Sequence, residues 1–203
     1  GQFPQHVLMT PELDITALNL FAPKPSVGAY MVKPQMMIPE DKGNELILYV
    51  DGASTSIHAD GSSWQQAHRA LHEAIQYFSN LDAQTVGNKR LVIRIKAQEL
   101  WPRFAYANED PKTAALRINP TRSGQPLILE GSWFVNADGT AQRDPQTYRT
   151  ILNANHEGKK IENGNYHCIN VYENAKVELD GFHIINGYAA STAAIRSGAG
   201  LLA

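Results

Sequence analysis

A single cysteine, Cys168, stands in the 203-residue chain, so no disulfide can form within it. A large apolar core needs no such staple, and one cysteine therefore leaves an exported protein open. Cys168 sits in the apolar run "YHCINVY", where a thiol is expected to be buried and inert. No apolar run approaches the roughly 20 residues of a membrane-spanning helix, so no membrane span is expected. No excess of either charge is present: the net charge is −2. Nucleic-acid binding needs a clustered basic surface, and Lys89-Arg90 and Lys159-Lys160 are too short to supply one. Gly-rich phosphate loops, a nucleophile elbow and a Cys-His pairing are also missing. The chain begins Gly-Gln rather than Met, which reads as a processed or cut terminus.

What is present divides unevenly. Six of the eleven prolines lie before residue 45, at Pro4, Pro11, Pro23, Pro25, Pro34 and Pro39. Proline fixes φ and removes a donor, which excludes a long helix or a central strand from residues 1–44. That stretch reads either as a linker or as an arm packed on the body through Met36, Met37 and Ile38. Length alone favours one sizeable core for residues 45–203.

One amphipathic helix is expected early in the body. Ser62 with Gln65, and Ser63 with Gln66, fit a capping box. Trp64, Ala67, Leu71, Ile75 and Phe78 then follow at helical spacing, which predicts a helix over 63–78. Around it lie apolar runs closed by turn residues: "ELILYVDG" (45–52), "RLVIRIKA" (90–97), "QPLILEGSWF" (125–134), "RTILNAN" (149–155), "HCINVYENAKVELDG" (167–181) and "FHIINGY" (182–188). These read as strands. Residues 97–120 are a longer excursion, and 136–146 a polar loop. The tight passage of Val177–Leu179 through Asp180-Gly181 into Phe182–Ile185 favours a solenoid over a sandwich.

The order of these segments resembles a known group. Tyr49-Val50-Asp51 is followed by "DGSSW" (60–64) and the helix, then "LVIRIKAQELWP", "LILEGSWF", "RDPQTYRTILNAN" and "YHCINVYENAKVELDGFHIINGYA". Over residues 46–203 this is similar to the N-terminal part of bacterial right-handed parallel β-helix proteins of the pectin-lyase-like type, above all large cell-surface proteins. The resemblance implies an all-β, right-handed parallel β-helix whose first coil is sealed by the helix at 63–78, with further coils after "GAGLLA". It also implies a secreted or cell-surface protein whose partner is a polysaccharide or a host or cell-surface glycan. The family often carries "AGTY" after the first long strand, where this chain has "KAQELW".

Candidate chemistry is thin. Arg94-Ile95-Lys96 matches a tripeptide of polygalacturonase-like sites but lacks the paired aspartates that precede it there. On a strand Arg94 and Lys96 point outward together. Acid–base cleavage of a glycoside needs two carboxylates roughly 5 to 9 Å apart. Glu178 and Asp180 share a strand face and are the catalytic candidates, with Glu130 and Asp144 as neighbours in space, although Asp180 also suits a turn before Gly181. Asp51 and Asp60 are candidates for calcium, but they lack the regular spacing of a calcium loop, and turn and cap roles suit them better. His68 and His72, four apart on the expected helix, have no evident third metal ligand. Trp101, Arg103, Phe104 and Tyr106 in the long excursion are the candidate ligand-binding residues, because aromatics on a rigid β-scaffold stack on sugar rings. Two functions follow: a non-catalytic extracellular module for adhesion or carbohydrate binding, or the N-terminal part of a lyase or hydrolase acting on uronic-acid glycans.

Overall fold

The computed structural model describes residues 36–101, 115–155 and 167–187 and the backbone of Leu201–Leu202. The chain divides into two units, Gly1–Gln35 and Met36–Ala203, and all of the described residues belong to the second. Among them strands dominate and helices are few.

Chain order runs β1 (Glu40–Asp41), β2 (Glu45–Val50), a 3-10 turn (Trp64–Gln66), α1 (Leu71–Asn80) and α2 (Ala83–Val86). Strands follow to the end: β3 (Arg90–Lys96), β4 (Glu99–Leu100), β5 (Leu116–Ile118), β6 (Leu127–Val135), β7 (Ala141–Arg143), β8 (Thr150–Asn153), β9 (Ile169–Val171), β10 (Val177–Asp180), β11 (Phe182–Ile185) and β12 (Leu201–Leu202). The expected strands at 45–52, 90–97, 125–134, 149–155, 167–181 and 182–188 all contain strand. The segment 167–181 holds two.

Three sheets result. The first orders β1-β2-β3-β6-β10, with β7 beside β6; the second orders β4-β8-β11 and the third β5-β9-β12. Pairing is parallel except at β1 with β2 and at β6 with β7. From β3 onward the chain visits the first, second and third sheets in that order, three times over.

Register explains the core. Leu46, Leu91, Leu127 and Val177 lie opposite one another across the first sheet, as do Leu48, Ile93, Leu129 and Leu179. Strand side chains alternate between faces, so both ladders point inward. They join Ile118, Leu152, Cys168 and Ile169 from the other sheets in one buried cluster. Leu71, Ala74, Ile75 and Phe78 of α1 complete it.

The helix differs from the expectation. It begins at Leu71, not Ser63. Ser63 does cap a turn: its Oγ accepts from the Gln66 N–H at 3.3 Å, but that turn is 3-10 and ends at Ala67. Residues 67–70 are not helical because the β2 backbone competes for His68, which bridges to Val50. The His68 N–H donates to Tyr49 O at 2.8 Å, and the Asp51 N–H donates to His68 O at 2.9 Å. Trp64 is therefore not part of the helical stripe. It packs on the outer face of the first sheet, against a second buried cluster of Ile47, Tyr49, Ala67, Val92 and Ile128. His68 and His72 do not form a helical pair either. His68 is buried, with Nδ1 2.7 Å from Ala59 O and Nε2 2.8 Å from Glu73.

Part of the proline-rich stretch packs on the body. Met37 is buried, the Ile38 N–H donates to Asp60 O, and β1 pairs with the edge of β2. Met36 and Ile38 remain exposed. Residues 1–35 lie outside the described residues.

A tight corner joins the first and second sheets. A Cβ on Gly131 would meet Gly181 O at 2.6 Å and Thr150 Cβ at 2.9 Å. The buried hydroxyls beside it are all satisfied. The Ser132 N–H donates to Thr150 Oγ1, and Ser132 Oγ donates to Gly181 O, each at 2.8 Å. Gly131→Ala is expected to cost about 2 kcal/mol or more, because neither contact is the free end of a flexible side chain. Urea unfolding measures it.

Cys168 is wholly buried, as its apolar run implied. Burial pushes its thiol up from about 9 to about 11. The folded state thus holds this proton more tightly than the unfolded chain does. Its contribution is complete below about pH 9 and is lost as pH rises through about 11. Tyr49, pushed up to about 12 by burial and by its bond to Glu40, acts in the same direction. Urea midpoints are expected to fall above pH 9, with Cys168→Ala removing a part worth up to about 2–3 kcal/mol.

Candidate functional site

The turn after β2, the start of α1 and the strands β4, β5 and β8 enclose a cavity of about 550 Å³. Its floor is apolar: Leu71, Leu100, Leu116 and Leu152. Each is there because an inward ladder position or the buried helix face ends at this rim. The polar wall is Arg69, His72, Gln98 and Glu99. Trp101 stands at the mouth, 37% exposed. Binding cavities commonly pair an apolar floor with a few fixed polar groups.

Those polar groups are held by the turns around them. Gln98 Oε1 accepts from the Gly52 N–H at 3.0 Å, and Gly52 leaves the space that the amide fills. The other half of that amide, Nε2, is buried with no hydrogen-bond partner among the described residues. Glu99 accepts from Asn153 Nδ2, and Arg69 donates to Ser56 O at 3.0 Å. Of the four sequence candidates for ligand binding, Trp101 is on this cavity. Arg103, Phe104 and Tyr106 lie outside the described residues. Arg69, Gln98 and Glu99 were not singled out by sequence. They carry no motif, and only the folded turns bring them together.

The carboxylate candidates lie elsewhere, on the outer face of the first sheet. Tyr49, Arg94, Glu130 and Asp180 are successive neighbours in register. Arg94 and Lys96 both point outward on this side, as alternation requires. Arg94 bonds Glu130 at 3.1 Å, lies 3.7 Å from Glu45, and stacks 4.8 Å from the Trp133 ring centroid. Asp180 pairs with Arg143 at 2.8 Å. Glu178 is two residues away on the same face, beside Ile128. Asp144 is held below the ordinary carboxylate range by hydrogen bonds from Thr147 and Gln146, so it belongs to its turn. Trp133 and Phe134 are engaged with protein rings, Trp133 with Trp64 and Phe134 with Tyr148.

Both calcium candidates take part in local hydrogen bonds. Asp51 bonds Lys96 Nζ at 2.7 Å and accepts from the Ala53 N–H. Asp60 accepts from the Ser62 N–H and hydroxyl. Among the described residues no three His, Cys, Asp or Glu side chains gather at a spacing suited to a metal ion. No helix among them is long and apolar enough to cross a membrane.

The two arginine pairs differ in burial. Arg94 and Glu130 side chains are 22% and 20% exposed, whereas Asp180 is 51% exposed. Arg94→Ala leaves Glu130 without its cation, while Glu45 keeps Arg90 at 2.8 Å, and is expected to cost about 1–3 kcal/mol. Asp180→Ala is expected to cost under about 1 kcal/mol, as exposed pairs do. Parallel urea titrations compare them. Compared with the families of known proteins, with curated proteins and with solved structures, the chain matches none.

Proposed function

We propose that this chain is a non-catalytic extracellular module, secreted or at the cell surface, that binds carbohydrate for adhesion at the cavity beside Trp101. The observation that carries the reading is the cavity: an exposed indole at the mouth, a leucine floor, and amide, carboxylate and guanidinium groups on one wall. A sugar ring has an apolar face and a rim of hydroxyls, and this lining offers a counterpart to each. The resemblance in the segments from "DGSSW" to "LDGFHIINGYA" supplies the compartment and the partner class.

The scaffold proposed is a right-handed parallel β-helix, with α1 sealing its first coil. Three passes through the same three sheets in the same order support the coil. One interior shared by all three sheets supports it further. The hand follows from the strong preference of parallel crossovers for the right. In this arrangement Leu71, Ile75 and Phe78 keep water from the interior.

An enzyme acting on uronic-acid glycans is the weaker reading. Glu130 and Asp180 are each committed to an arginine on the outer face of the first sheet. A glycan array comparing the wild type with Trp101→Ala tests the binding reading. The expected result is a restricted set of glycans bound by the wild type and a loss of at least about tenfold in the variant, from one stacking platform. Equal binding by both proteins, or no glycan bound by either, would overturn it.

A further inference from the structure

The dipeptide Asn-Gly occurs twice in the chain, at Asn163-Gly164 and at Asn186-Gly187. The first lies outside the described residues. The second follows directly on β11, which ends at Ile185. Asn186 is exposed, and its backbone is left-handed, with φ 60°. Among the described residues nothing accepts a hydrogen bond from the Gly187 N–H.

A structural use exists for this asparagine. Asparagine tolerates the left-handed region, and its amide bonds to nearby groups where a strand turns. Here Asn186 Nδ2 donates to Asn153 Oδ1 at 3.0 Å. Asn153 Oδ1 also accepts from the Asn155 N–H at 2.9 Å, and Asn153 Nδ2 donates to Glu99. A chain of side-chain bonds thus crosses the ends of β4, β8 and β11, the three strands of the second sheet. The turn accounts for Asn186. It does not protect the peptide unit that follows, because the pairing of β11 with β8 stops at Ile185.

From this exposed amide beside an unpaired glycine nitrogen, we propose that Asn186 is a site of spontaneous deamidation in the folded chain. The Gly187 nitrogen, with no Cβ to hinder its approach, attacks Asn186 Cγ. A bond forms between that nitrogen and Cγ, and the Cγ–Nδ2 bond breaks. Nδ2 leaves as ammonia, taking the proton of the Gly187 N–H. Water then opens the cyclic imide at one carbonyl or the other, which gives aspartate or isoaspartate. One water is consumed and one ammonia is released, and nothing is oxidised or reduced. The donor at position 186 becomes a carboxylate that faces Asn153 Oδ1. Turning the Asn153 amide over would satisfy that carboxylate, but it would set Oδ1 against Glu99 and Nδ2 against the Asn155 N–H. Deamidation therefore loosens the end of β11, irreversibly. The site is independent of what the cavity beside Trp101 binds.

Incubation of the full chain in mildly acidic and in alkaline buffer, followed by peptide mass mapping, tests the site. The expected result is conversion of Asn186 into separable aspartate and isoaspartate forms, faster than at Asn136, Asn170 or Asn174. Conversion is expected to be faster in alkali, because the attacking N–H must give up its proton. Gly187→Ala is expected to slow it, and thermal unfolding verifies that the variant is folded. Conversion no faster than at Asn174, conversion only in urea, or an unchanged rate in folded Gly187→Ala would overturn the site. Asn186→Asp tests the consequence separately, by amide hydrogen exchange. Phe182–Ile185 are expected to lose protection about fivefold, with β2 and β3 unchanged. Equal protection of β11 in wild type and variant would overturn the loosening.

Discussion

Everything in this fold depends on the register of the first sheet. Four strands, β2, β3, β6 and β10, align so that apolar residues repeat at the same two levels, Leu46 to Val177 and Leu48 to Leu179. A slip of one residue in β3 or β6 would exchange its faces, putting Arg94 or Glu130 inside. The cost of burying such a charge without its partner exceeds that of most single defects. Strands that stack in parallel have no tight hairpins to fix their alignment, so the side chains must do it. The corner at Gly131, Ser132, Thr150 and Gly181 adds a second constraint, because its hydrogen bonds exist in one register only.

The same sheet is buried on both faces at its beginning and on one face later. Within β2, Ile47 and Tyr49 are covered by the 3-10 turn and Trp64, while Leu46, Leu48 and Val50 face the interior. By β10 the outward positions are Glu178 and Asp180. This gradient explains the division of labour between Trp64 and α1. The segment after β2 covers one face of the sheet with an indole and the other side of the core with a helix. Between them, residues 67–70 cross from one to the other outside the helix. The helix can only start once that crossing is made.

This is where sequence reading fell short. The spacing of Trp64, Ala67, Leu71, Ile75 and Phe78 is consistent with one helical stripe, and the cap at Ser63 is real. Local periodicity cannot see that Tyr49 and Asp51 hydrogen-bond to His68, a contact that depends on strand placement. A hint was nonetheless present. "ELILYV" is apolar without alternation, and such a run marks a strand covered on both faces. Something beyond the helix had to cover Ile47 and Tyr49, and Trp64 was the nearest large side chain. The main strands were legible because their β-branched runs are bounded by Gly and Asn. The short strands Glu99–Leu100, Leu116–Ile118 and Ala141–Arg143 were not, because two or three residues carry no period. Of the candidate sites, Trp101 could be named from its type. Gln98 and Arg69 could not, since each lines the cavity only through a neighbour distant in sequence.

Two cavities arise from one geometric mismatch. A helix is a cylinder with one apolar stripe, and gaps open where its flanks meet the neighbouring strands and turns. On the flank near the helix start, the gap falls where the leucines of β4, β5 and β8 end, and it is lined by apolar side chains. On the flank near the helix end, the gap falls beside the segment leaving β5, and arginines line it. The fold needs the helix to bury Leu71, Ile75 and Phe78, and the gaps on either side follow from that requirement. Their linings differ, one apolar with an indole beside it and the other polar with two arginines.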